Sequence, residues 1–82
     1  LEILSGDIIM ANVTITAKDI VVGNNVWFPA GNVWVHITQI INCQNPSYLD
    51  FDGKISSNCP DKNRVVSLSF RKDENVKIYQ LD

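Results

Sequence analysis

Val13, Ile15 and Ala17 alternate with Asn12, Thr14 and Thr16, and a period of two places one set of side chains on each face of an extended strand. β-Branched residues dominate this run, and their restricted χ1 favours extended backbone over helix. The same texture recurs along the chain, broken by turn formers at intervals of about ten residues. Gly23-Asn24-Asn25 and Pro29-Ala30-Gly31-Asn32 supply residues that accept positive φ or fix a reversal.

Strands are expected within residues 8–22, 26–28 and 33–41, then in the C-terminal half at residues 64–72 and 76–81. In the long stretch 33–41, strict alternation would put Val33, Val35, Ile37 and Ile41 on one face. Trp34, His36, Thr38 and Ile40 would then lie on the other. Large apolar groups on both faces indicate a central strand. Tyr48-Leu49-Asp50-Phe51 and Lys54-Ile55-Ser56-Ser57 flank Asp52-Gly53, which reads as a two-residue hairpin turn.

These signals predict one all-β domain over residues 1–82: a small antiparallel β-sandwich or meander of about six or seven short strands, with a small β-barrel as the alternative. The motif-like run from Val22 through Val33 also resembles a rung of a parallel β-helix, but a few isolated rungs would lack caps.

At 82 residues the core is marginal, so a covalent staple would help. Cys43 and Cys59 bracket fifteen residues rich in Asn, Ser, Pro, Gly and Asp. A disulfide between them would contribute about 3 kcal/mol in the chain-entropy model. It would imply an extracellular, periplasmic or cell-surface location. A zinc site is not expected, since His36 is the sole histidine and no Cys-x-x-Cys spacing occurs.

Charge is distributed unevenly. Thirty residues between Asp19 and Asp50 contain no Asp, Glu, Lys or Arg, while residues 50–82 carry twelve of the sixteen formal charges. The plain explanation is that this stretch forms central strands. The functional one is that it also presents an uncharged, aromatic surface, as the centre of a protein interface does. A net charge of −2 without a basic stripe argues against nucleic-acid binding. No apolar run reaches the roughly 18 residues of a membrane span, and residues 1–7 lack the basic and apolar regions of a signal peptide.

The remaining motifs are weak. Asp50 and Asp52 precede Gly53 as in an EF-hand loop, but Tyr48 and Cys59 occupy positions that need carboxylates. Asn12-Val13-Thr14 is a glycosylation sequon. His36 could serve as a base only beside a nucleophile, and no Gly-x-Ser-x-Gly elbow is present.

The expectation is therefore a non-enzymatic secreted or surface module without cofactor or metal. It would bind a protein partner, or a second copy of itself as a homo-oligomer, through Trp27, Phe28, Asn32, Trp34 and His36 within residues 22–41. The alternative is a small carbohydrate-binding domain in which Trp27, Phe28, Trp34 and Tyr48 stack on a glycan beside Asn24, Asn25 and Asn32. A small hydrolase is the third and weakest reading.

Overall fold

Six strands make up most of the computed structural model, which describes residues 10–41 and 45–81. They are β1 (Met10–Thr16), β2 (Asn25–Phe28), β3 (Val33–Ile41), β4 (Tyr48–Ile55), β5 (Val65–Arg71) and β6 (Asn75–Leu81); a 3-10 turn, Ala17–Asp19, follows β1. All pairings are antiparallel, and they form one sheet in the order β1-β6-β2-β3-β4-β5. The charge-free stretch supplies β2 and β3, the two central strands, which accounts for much of its composition.

The order forces the sheet to coil. β5 and β6 are separated by three strands yet joined by only Lys72, Asp73 and Glu74. Four strand spacings in a flat sheet span roughly 19 Å, whereas the four peptide steps from Arg71 to Asn75 reach at most about 14 Å. Lys72 stitches the corner, donating its N–H to Ser47 at 3.0 Å and accepting from Lys18 N–H at 3.2 Å.

Alternation puts Val26, Val35, Ile37, Phe51, Leu68, Phe70, Val76 and Ile78 on the inner face, where they form one buried cluster with Ala17 and Ile20. Phe51 and Phe70 pack at 6.0 Å between ring centroids.

Three expectations are corrected. First, Asp52-Gly53 makes no hairpin turn, because β4 runs straight through both residues. Gly53 is there for proximity: a Cβ on it would lie 2.5 Å from the His36 carbonyl oxygen and 2.6 Å from Val35 Cγ1. Second, strict alternation in β3 fails after Ile37, where the register shifts. This bulge pairs Ile40 with Phe51 and Ile41 with Asp50, exchanging the faces expected for the two isoleucines.

Third, the disulfide expectation fails, since Cys59 is a free, half-buried thiol; Cys43 lies outside the described residues. The hairpin expected to close the loop between the two cysteines is not formed. A turn at Gly53 would bring the two flanks together, but a strand of eight residues carries its ends about 23 Å apart.

Candidate functional site

Trp27 and Trp34 are register partners across β2 and β3, and both project from the face opposite the buried cluster. Their rings meet at 5.2 Å and 64°. Tyr79 of β6 completes the group, with its ring 4.8 Å from Trp34 and perpendicular to it. All three rings are half-buried.

The sheet order explains how residues so far apart in sequence meet. Asn25 pairs with His36 on one side and with Tyr79 on the other. Continued outward, the same register joins Asn12 to Tyr79, Lys54 to His36 and Val65 to Lys54. One row on the outer face therefore crosses all six strands. Within it Asn25 lies between Tyr79 and His36, and the Tyr79 and Trp34 rings meet across β2. Such edge-to-face pairs contribute about 0.5–1.5 kcal/mol beyond their area burial.

Trp34 is also fixed through its backbone. Its N–H donates to Ser57 Oγ at 2.7 Å, and its C=O accepts from Ser56 N–H at 2.9 Å. The rim is mildly basic, because Lys54 and Lys77 flank the aromatic group from β4 and β6.

The other predicted site residues are scattered. His36 is exposed on the same face as the aromatic group, but Phe28 packs against the inner cluster. Asn32 sits exposed in the β2–β3 turn with φ 55°, a conformation that asparagine tolerates well. Tyr48 pairs with Arg71 at the far end of β4. Asn24 is structural: its side chain accepts from Val21 N–H at 2.9 Å and its C=O accepts from Ile37 N–H at 2.8 Å. Tyr79 was not anticipated from sequence. Its alternation with the inner residues Val76 and Ile78 was the available signal that it faces outward.

Asp50 and Asp52 stand two residues apart on the outer face of β4, accepting from Ser69 Oγ at 2.8 Å and Ser67 Oγ at 2.9 Å. They form a polar cross-strand ladder; among the described residues no group of three or more His, Cys, Asp or Glu side chains could hold a metal ion. Nor is any helix of the described residues long and apolar enough to cross a membrane.

At one end of the coil the inner face opens into a cleft of about 390 Å³. Phe28, Val33, Ile55 and Val66 form its walls, with Asp61 and Arg64 among the lining residues. That ion pair is 3.7 Å long and largely exposed, so it adds little stability.

Compared with models of known protein families, with curated proteins and with solved structures, the chain matches none of them.

Proposed function

We propose that this domain is a non-enzymatic interaction module that presents Trp27, Trp34 and Tyr79 to a protein partner. The observation carrying this reading is the gathering of three half-buried aromatic rings, from three strands, on the sheet face that the core does not use. Tryptophan and tyrosine supply large contact area at low entropic cost, which is why they concentrate at interface centres. Neighbouring Asn12, Asn25 and His36 would form the polar surround.

The test is quantitative affinity capture with Trp27→Ala and Tyr79→Ala variants that retain the wild-type circular dichroism spectrum. Proteins retained by the wild type should be lost from both. Equal recovery of the same proteins on all three would refute the proposal, and sedimentation at several concentrations separates a foreign partner from a second copy.

Carbohydrate binding remains the alternative, favoured by the amides of Asn12 and Asn25 in the row beside Tyr79. The ring arrangement counts against it. Rings set edge to face on one another spend part of the surface that a stacked sugar needs. A glycan array read alongside tryptophan fluorescence distinguishes the two.

The same reading takes the coiled sheet as a partly open barrel rather than a two-layer sandwich, supported by the short β5–β6 corner and the shared inner cluster. A location outside the cytoplasm rested on the expected disulfide, and a free Cys59 withdraws that support.

A further inference from the structure

β5 forms an edge of the sheet among the described residues, and its hydrogen-bonding phase is fixed at its N-terminal end. Ile55 donates to the Arg64 carbonyl at 3.0 Å. The antiparallel pattern then directs the backbone groups of Val66, Leu68 and Phe70 towards β4. Those of Val65, Ser67 and Ser69 point out of the sheet. Arg71 shares this outward phase, but Glu74 occupies it: Arg71 N–H donates to Glu74 Oε1 at 3.1 Å, and its C=O accepts from Glu74 N–H at 3.0 Å.

Natural edges are usually guarded by charge, proline or a bulge, and residues 65–70 contain no charged side chain, proline or glycine. Val65 is 66% exposed. β1 is also an edge, but the cleft described above lies beside β5.

Cleft and edge are in phase. Val66 is both an inner-face residue of β5 and a wall of the cleft. A strand added to this edge would place the residue opposite Val66 on the same face, where it would enter the space between Phe28, Val33 and Ile55. Main-chain bonds would supply affinity and the cleft specificity.

We infer that the Val65–Ser69 edge docks an extended, uncharged segment of a protein partner, with an apolar side chain seated in the cleft. Charge complementarity selects that occupant. Residues 65–70 are uncharged, and the cleft lining carries one acid and one base, so it presents no net charge to attract a charged insert. This site is separate from the aromatic face and does not rest on the function proposed above.

The test is to pan a displayed library of random seven-residue peptides on the full chain. Enriched peptides should alternate apolar with polar residues and contain few charges. Their binding should fall about tenfold or more in Ser67→Pro, which removes an outward N–H and blocks the edge; the backbone bonds to β4 stay, although the Ser67–Asp52 side-chain bond is lost. Val66→Phe, which fills the cleft from within, should lose the same peptides while remaining folded. Trp34→Ala, if folded, should still bind them. Failure to enrich any peptide, or enriched peptides that bind Ser67→Pro and Val66→Phe as well as the wild type, would overturn the inference. So would a wild-type dimer that Ser67→Pro converts to monomer, since a second copy would then occupy the edge.

Discussion

Trp34 and Tyr79 meet edge to face at 4.8 Å although β2 lies between their strands. The contact spans two strand spacings, across β2. Trp34 touches both other rings, so it is the keystone of the group. Trp34→Ala should cost about 2–4 kcal/mol, towards the low end because the side chain is half-buried. Trp27→Ala should cost less, having one ring partner. A double-mutant cycle between Trp34 and Tyr79, read by urea unfolding, should return a coupling of about 0.5–1.5 kcal/mol; additive losses would mean that the rings touch without supporting each other.

Gly53→Ala reverses the usual sign of such a change. In an ordinary strand, alanine is better than glycine by roughly 0.5–1 kcal/mol. Here the added Cβ would sit 2.5 Å from the His36 carbonyl oxygen, so β3 and β4 would have to separate at the bulge. A loss of about 2 kcal/mol or more is expected in denaturant unfolding. A stabilised variant would show that the two strands are not so close.

Gly53 also shows where sequence reading fails. Glycine serves both positive φ and close approach, and one letter does not say which; among the described glycines only Gly23 has positive φ. Local alternation was legible wherever one face is buried, as at Val33, Val35 and Ile37 or at Val66, Leu68 and Phe70. Trp27 and Trp34 were legible as a pair because a short hairpin joins their strands. Tyr79 joins them only because β6 lands beside β2, a non-local pairing that no local pattern encodes.

Ser56 offers a test in the stabilising direction. Its Oγ is buried without a hydrogen-bond partner among the described residues, while the backbone N–H beside it is satisfied by Trp34. A buried hydroxyl left unpaired costs about 1–3 kcal/mol in desolvation, and Ser56→Ala removes it with almost no change of volume. The variant should therefore gain stability, by about 1 kcal/mol and several degrees of melting temperature for a domain of this size. A loss of similar size would mean that the hydroxyl is satisfied, by an ordered water for example.

Cys59 can be tested by a difference large enough to decide the matter. If it were bridged to Cys43 across fifteen residues, Cys59→Ser would forfeit about 3 kcal/mol, a fall in melting temperature of about 12 °C or more in so small a domain. As a free, half-buried thiol in the loop after β4, it should be replaceable by serine within about 1 kcal/mol, a small cost in lost apolar contact. Native alkylation without reductant, followed by peptide mapping, should then place an adduct on Cys59. A thiol that reacts only after reduction, together with a large drop in the Cys59→Ser variant, would restore the bridge.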